Sequence, residues 1–187
     1  MREYLEAFDL FTEEEIDEYL ALTTTRKLKR HEFFIQQDEV CDNLSFVKSG
    51  VFRSFYYSNN EEQITYCFTF QDSLLMAYSS FISGNPSKEN MQAVSEAEII
   101  SIPKSELDRL AETNLKWLKF LKIIAEKEYV DLENWIFDHQ KDKAQQRYLD
   151  LIAKHPNYIQ EVPLQHIASY LGITQRHLSR IRASISF

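Results

Sequence analysis

The C-terminal part of the sequence carries the pattern that most restricts how this chain can fold. Pro163 can open a helix, and Ile167 and Leu171 follow it at the spacing of one helical face. Gly172 suits a turn that needs a left-handed backbone, and Thr174 is a good N-cap for a second helix. The pattern therefore predicts a helix-turn-helix, meaning two short helices joined by a tight turn.

The second of these helices would bury Leu178, Ile181 and Ile185 and turn a polar face outward. Glutamine and arginine can form paired hydrogen bonds with base edges in the major groove, and arginine also binds phosphate. We therefore predict a DNA-binding surface made by Thr174, Gln175, Arg176, Ser179, Arg180 and Arg182. The alternative from the residues alone is a helical hairpin with a solvated basic face.

The charge of the chain is unevenly distributed along the sequence. Its formal net charge is −8, yet residues 141–187 carry seven basic and three acidic side chains. The rest of the chain is therefore strongly acidic, and acidic surfaces are repelled by phosphate. We expect only the C-terminal part to approach double-stranded DNA.

Several classes of protein are disfavoured by the sequence. It has no long apolar run, and acidic residues stand where a signal peptide needs a basic and then an apolar stretch, so we expect a cytoplasmic protein without membrane contact. Cys41 and Cys67 are far apart and outside any Cys-x-x-Cys motif, which favours buried or inert thiols.

An enzyme is also disfavoured. Of the five histidines only His31 lies among the predicted strands, which leaves too few ligands for a catalytic metal there. His166 and His177 fall in the helix-turn-helix, where surface or phosphate-contact roles are expected. No serine has a nucleophile-elbow context. We expect no catalytic residue, metal site or cofactor.

The middle of the chain reads as a β domain that follows a capped helix at residues 12–22. Turn signals such as Ser49-Gly50 and Asn59-Asn60 separate short β-rich runs. These predict strands at residues 33–35, 44–47, 51–57, 63–70, 91–94 and 98–102. So many short strands favour a small antiparallel barrel or jelly roll, and its core is predicted to hold Phe46, Phe52, Phe55, Tyr57, Tyr66, Phe68 and Phe70.

A short helix at residues 104–111 and a long helix from about residue 114 to residue 139 should follow the β domain. The long helix has residues at alternating four- and three-residue intervals, which is the seam of a two-stranded coiled coil: Leu118, Lys122, Ala125, Tyr129, Leu132, Ile136 and His139. This predicts a homodimer held together by Leu118, Ala125, Tyr129, Leu132 and Ile136. Trp117, Leu121, Ile124 and Trp135 form a second apolar face that could rest on the barrel, so the alternative is a helix buried within one chain.

The predicted organisation is α+β with three parts. Residues 1–113 form the β-barrel domain, residues 114–140 the dimerisation helix and hinge, and residues 141–187 an all-α domain with the helix-turn-helix. Another helix is expected at residues 144–153, before the break at His155-Pro156-Asn157.

This order of parts resembles the bacterial Crp/Fnr superfamily of regulators, to which catabolite activator proteins belong. The resemblance is carried by residues 47–53 (VKSGVFR), similar to a glycine turn between barrel strands, and by residues 166–174 and 178–182, similar to the family helix-turn-helix. It implies that Gln175, Arg176, Ser179 and Arg180 read bases, with Thr174 and Arg182 near the DNA backbone. RNA polymerase is a further candidate partner.

The sequence departs from that family in the effector cassette. Members that bind cyclic nucleotides have a Gly-Glu pair followed by Arg-Ser or Arg-Thr, in which the arginine neutralises the cyclic phosphate. Residues 70–93 contain neither the pair nor an arginine. Lys88 lacks the planar guanidinium group that binds a phosphate through two hydrogen bonds, and it stands beside the acidic Glu89. We predict that cyclic AMP is not the ligand and that any effector of the barrel is a different small molecule. Phe187 follows the second helix closely, which predicts a domain without a clear wing.

Two functions therefore compete. The leading one is a homodimeric, sequence-specific transcription regulator. The other is an effector-sensing or protein-interaction module whose DNA binding is weak or vestigial.

Overall fold

Two four-stranded antiparallel sheets form most of the N-terminal half of the protein. The computed structural model describes residues 1–141, 143–156 and 161–185. One sheet has the order β1-β8-β3-β6 and the other the order β2-β7-β4-β5. The strands are β1 (Thr24–Leu28), β2 (Phe33–Ile35), β3 (Asn43–Ser49), β4 (Phe52–Tyr57), β5 (Gln63–Thr69), β6 (Leu74–Leu75), β7 (Asn90–Ala93) and β8 (Ala97–Pro103).

The space between the sheets holds the main apolar core. Leu44, Phe52, Leu75 and Ile99 are almost fully buried there, and Ala93 lies opposite Phe52 on the neighbouring strand. The tight turn between β3 and β4 depends on Gly50, whose φ is +89°. A Cβ atom at this position would lie 2.5 Å from the carbonyl oxygen of Glu96, so only glycine fits.

The helices before and within the β domain are short. They are α1 (Arg2–Glu6), α2 (Glu13–Ala21) and α3 (Tyr78–Ser83). Thr12 and Glu15 form a reciprocal capping box at the start of α2, which satisfies two backbone donors that a helix end would otherwise leave open.

The helices after the β domain are α4 (Lys104–Thr113), α5 (Leu115–Lys141), α6 (Ala144–Lys154), α7 (Leu164–Tyr170) and α8 (Gln175–Ser184). The first half of α5 packs on the core through Trp117, Phe120 and Ile124. Tyr19 of α2 stacks on Trp117 with ring centroids 4.9 Å apart. The second apolar face predicted for this helix therefore does rest on the β domain at Trp117 and Ile124.

The opposite side of α5 is exposed. Leu118, Tyr129, Leu132 and Ile136 have exposed fractions of 53%, 66%, 57% and 38%, and Ala125 is half-buried. These are the residues of the predicted coiled-coil seam. Val130 and Phe137 are also exposed, on the flank of that seam.

Several details differ from the sequence-based expectations. The prediction that Tyr57 fills the core was wrong, because its side chain is 47% exposed near the end of β4, whereas Phe46, Phe52 and Phe55 are buried. Phe68 is buried in the apolar cluster of the C-terminal helices, and Tyr66 and Phe70 are only half-buried. Strand β1 was not predicted, since four of its five residues are exposed and give no apolar alternation. Strand β6 has only two residues, and α3 only six, so neither leaves a periodic signal.

Candidate nucleic-acid interface

Helices α7 and α8 and the turn between them, called here the C-terminal helix pair, hold the predicted DNA-binding residues. Gly172 has a φ of +66°, which is the left-handed conformation expected for it. The amide of Ile173 donates to the carbonyl oxygen of Ala168 at 3.0 Å and closes the turn. The Thr174 hydroxyl accepts from the amide of His177 at 3.2 Å, so the predicted N-cap of the second helix is confirmed.

A small apolar core holds the two helices of the pair together. Ile167, Ala168 and Leu171 from the first half pack with Leu178 and Ile181 from the second, and all five are buried. Because α8 buries its apolar side in this core, its polar side must face away from it.

The polar face of α8 is open to solvent. Thr174, Gln175, Arg176, Ser179 and Arg180 are exposed, and Arg182 is half-buried. The Ser179 hydroxyl donates to the carbonyl oxygen of Gln175 at 3.0 Å. Within the described part of the chain none of the three arginines forms an ion pair, so their guanidinium groups are available to a ligand.

The first helix of the pair docks on the edge strand of one sheet. The amide of Thr65 donates to the Ser169 hydroxyl at 2.9 Å, and that hydroxyl lies 3.2 Å from the carbonyl oxygen of Gln63, to which it donates. Ile167 and Ala168 share their apolar cluster with Val51 and Phe68 of the β domain. Helix α7 therefore covers backbone groups at a sheet edge that would otherwise remain unpaired.

A buried arginine lies beneath this docked helix. Arg53 of β4 is 2% exposed and donates to the side-chain oxygen of Gln63 at 2.6 Å. Its guanidinium carbon lies 4.0 Å from the centre of the Phe55 ring, and Nη1 contacts Nδ1 of His166 in α7. Burial lowers the pKa of Arg53 to about 10, so the side chain remains charged at neutral pH.

The surface or phosphate-contact role expected for His166 was wrong, because this side chain is half-buried against Arg53. Burial first, and then the Arg53 charge, lower the pKa of His166 to about 4. The imidazole is thus neutral at pH 7, and Nδ1 can accept a hydrogen bond from Arg53. His177 is exposed, as expected.

A second arginine connects the end of α5 to the helix pair. Arg147 of α6 donates to the carbonyl oxygen of His139 at 3.2 Å and to that of Leu171 at 2.6 Å. Both acceptors are carbonyls at or near helix ends, where the helix leaves such groups without a partner. The guanidinium therefore fixes α6 against α5 and against the turn of the C-terminal helix pair.

The region that corresponds to the effector cassette presents a carboxylate. The Tyr66 hydroxyl donates to the Glu89 carboxylate, and burial raises the pKa of Glu89. Lys88 is exposed beside it. A partly buried carboxylate at this point would repel a cyclic phosphate, and the cassette contains no arginine to offset it.

The described residues offer little for thiol chemistry, metal binding or a membrane-spanning helix. Burial raises the pKa of the Cys41 thiol, and it raises the pKa of the Cys67 thiol to about 12, so both thiols favour the protonated form at neutral pH. Cys41 is buried, as predicted, whereas Cys67 is half-buried. The described residues contain no group of three or more side chains placed to bind a metal. No helix among them is long and apolar enough to cross a membrane.

Comparison with known protein families identifies the β domain. The model of the cyclic nucleotide-binding domain matches residues 25–114, which run from the first strand to the end of α4. This part of the chain is therefore similar to the cyclic nucleotide-binding domain family. No curated protein matches the chain.

Solved structures with the same fold cover most of the chain. FixK2 from Bradyrhizobium japonicum has a TM-score of 0.75 at 16% identity, and the match covers 86% of this chain and 83% of that one. A putative transcriptional regulator of the Crp/Fnr family from Eubacterium rectale has a TM-score of 0.72 at 15% identity, covering 96% and 85%. The c-di-GMP-responsive global regulator CLP of Xanthomonas campestris has a TM-score of 0.70 at 16% identity, covering 90% and 88%. The resemblance to the Crp/Fnr regulators is therefore confirmed at the level of the fold.

Sequence reasoning missed the residues that join the cyclic nucleotide-binding domain to the C-terminal helix pair. Arg53 and His166 are 113 positions apart, and Thr65 and Ser169 are 104 apart, so no local pattern links them. One signal was present. Arg53 stands between Phe52 and Ser54 in an otherwise apolar strand, and an arginine there must be paired when buried.

Proposed function

We propose that this protein is a sequence-specific DNA-binding transcriptional regulator of the Crp/Fnr type that acts as a homodimer. The observation that carries the proposal is the exposed polar face of α8, with Gln175, Arg176 and Arg180 free of ion pairs within the described residues. The C-terminal helix pair acts as the helix-turn-helix, and α8 enters the major groove. Thr174, Ser179 and Arg182 complete the contact surface.

The homodimer is supported by the exposed apolar stripe on α5. Large apolar side chains that recur on one helical face are costly to leave in water, and a second copy of the same helix would bury them. Two-fold symmetry then presents two recognition helices to half-sites about one turn of DNA apart, or 34–36 Å.

The effector is not cyclic AMP in this proposal. The cassette lacks an arginine, and it contains the partly buried Glu89 carboxylate, which would repel a phosphate bound beside it. Regulation then depends on another small molecule, or on contact with RNA polymerase alone.

Selection of bound duplexes from a random pool tests the proposal. We expect a palindromic sequence to be enriched by the wild-type protein. Arg176→Ala and Arg180→Ala should each weaken binding to that sequence by about 1–3 kcal/mol, because each removes a paired contact with a base. Arg109→Ala, which removes an exposed arginine of α4, serves as the matched control and should leave affinity unchanged. Unchanged affinity in the double variant would exclude α8 as the reading helix.

The second candidate function is an effector-sensing module with weak DNA binding. It is favoured by the docking of α7 on the sheet edge, since a helix pair held at Arg53 and Thr65 has less freedom to reach two half-sites. If no palindrome is enriched at any salt concentration, this second function is preferred.

A further inference from the structure

A cavity outside the effector cassette lies where the β domain meets the helices that follow it. It has a volume of about 440 Å³ and is bounded by β5, the second half of α5, α6 and the end of α7. Small-molecule sites in proteins usually enclose 300–1,000 Å³. Leu132 lines the cavity and also belongs to the exposed stripe of α5.

Aromatic rings form much of its wall. Trp135 and His139 lie with ring centroids 4.1 Å apart, and Tyr170 meets His139 edge-on at 5.8 Å. Phe68 of β5 lies 5.6 Å from Tyr170. These rings provide flat apolar surfaces and π-faces at one place, although they come from three different elements.

The charged groups around the cavity are mostly acidic. Four carboxylates line it, from Glu128, Asp131, Asp138 and Asp150, against the two cations of Arg147 and Lys154. The guanidinium of Arg147 already donates to two backbone carbonyls, so it is poorly placed to neutralise a carboxylate.

The four carboxylates are not equally available. Asp131 is paired with Lys127, and Asp150 accepts from the Gln146 amide at 2.9 Å. Within the described residues neither Glu128 nor Asp138 forms an ion pair. Neither carboxylate beside the aromatic wall is in direct contact with a cation, although the charge of Lys127 acts on Glu128 from nearby.

We propose that this cavity binds a small organic cation, a protonated amine with an aromatic body. The amine would lie near Asp138 and the partly buried Glu128, and its ring would stack on the wall that includes Trp135 and Tyr170. Carboxylates attract an ammonium group directly, and the face of a tryptophan or tyrosine ring adds a cation–π attraction. The ligand class is thus opposite in charge to a cyclic nucleotide.

Binding at this place would also affect the C-terminal helix pair. The walls come from the β domain, α5, α6 and α7, so the complete cavity exists only while α7 is docked as described. A ligand that fills the cavity stabilises that position. On the basis of the proposed function, the ligand would alter DNA affinity, and DNA would alter ligand affinity by the same factor.

Titration calorimetry of the full chain without DNA tests the site. The probes are 2-phenylethylamine, 2-phenylethanol and 3-phenylpropionate, which share a ring but carry a positive, zero and negative charge near neutral pH. We expect saturable binding of the amine, weaker binding of the alcohol, and binding of the acid at least about tenfold weaker than that of the amine. Equal affinity for all three, or no saturable amine binding up to millimolar concentration, would overturn the proposal.

Variants of the two free carboxylates locate the ligand. Glu128→Gln and Asp138→Asn should each weaken amine binding about fivefold and leave the alcohol unaffected. Glu133→Gln changes the same charge at an exposed position of α5 outside the cavity and should change nothing. Loss of amine affinity in the control as large as in the cavity variants would show that the amine senses only the overall charge.

A second titration tests whether amine binding in the cavity changes the affinity of the protein for DNA. DNA affinity is measured for the selected duplex with and without saturating 2-phenylethylamine. A shift that Glu128→Gln abolishes supports coupling, whereas amine binding without any shift refutes coupling and leaves the site intact. If no duplex is bound at all, the proposed function fails while the calorimetric result still decides whether the cavity is a cation site.

Discussion

At the scale of single residues, the contact between Arg53 and His166 shows how one neutral histidine can hold two parts of the chain together. The buried guanidinium needs acceptors, and Gln63 and His166 supply them. The imidazole can accept only in its neutral form, because both ring nitrogens carry protons in the cation. The contact therefore depends on the protonation of His166.

We predict that acid weakens this contact. The pKa of His166 falls from 6.5 in the unfolded chain to about 4 in the folded protein, so the unfolded state binds more protons between these values. The contribution to stability is fully present above about pH 6.5 and is lost as the pH falls toward 4. Because the side chain is only half-buried, we expect the loss to be about 1–2 kcal/mol.

Urea unfolding at several pH values measures this effect. His166→Gln keeps a neutral acceptor, so its free energy of unfolding should match that of the wild type near pH 7.5. Between about pH 6.5 and pH 4.5 the variant should lose less stability than the wild type. His177→Gln, at an exposed position of the same helix pair, is the control and should follow the wild-type curve. Parallel curves for all three proteins would contradict the assignment.

At the scale of elements, the sequence predicted the positions of helices and strands well wherever one face of the element is buried. The bounds of α2, α4, α5 and α6 were predicted to within two residues, and so were six of the strands. Strand β1 was missed because only Leu28 is buried in it, and it is held by backbone pairing with β8. Hydrogen bonds between strand backbones do not require an alternation of apolar and polar side chains, so the sequence pattern does not reveal them.

The exposed stripe of α5 predicts a homodimer that a single charged substitution should weaken. Leu132 is exposed at the middle of the coiled-coil seam, and a homodimer would bury it against its counterpart. Leu132→Lys places two like charges in that contact and removes apolar burial. We expect the dimer to dissociate about 100-fold more readily, which corresponds to roughly 3 kcal/mol.

Sedimentation equilibrium gives the mass directly. The wild type should have twice the 22.2 kDa mass of one chain, and Leu132→Lys should approach the single mass at low concentration. Val130→Lys makes the same change at a similarly exposed position of α5 outside the seam and should remain dimeric. A monomeric wild type would instead favour α5 as a helix that serves one chain alone.

At the scale of the whole molecule, the sequence predicted the exposed polar face of α8 but not the contacts between the β domain and the C-terminal helices. The exposed face of α8 follows from local spacing, since Leu178 and Ile181 turn Gln175 and Arg180 outward. The cavity and the Arg53 contact could not be predicted, because they join residues from Arg53 to Tyr170 that meet only after folding. Long-range packing determines these features, and no short segment encodes them.

The separation of charge along the chain gives a prediction for DNA binding as a whole. Residues 141–187 carry seven basic and only three acidic side chains in a protein of net charge −8, so phosphate contacts should be few and confined to the C-terminal part. Each phosphate contact releases condensed counterions. It therefore steepens the slope of log affinity against log salt concentration by about 0.9. Arg182 is the proposed backbone contact.

Arg182→Gln should therefore reduce the salt slope by about 2 for a dimer, one unit for each protomer, and weaken binding to all duplexes to a similar degree. Arg109→Gln removes the same charge from an exposed position of α4 and should leave the slope unchanged. Fluorescence anisotropy with the selected duplex and a scrambled one, over a range of potassium chloride concentrations, measures both quantities. A loss restricted to the selected duplex would mean that Arg182 reads a base, because a phosphate contact carries no sequence information.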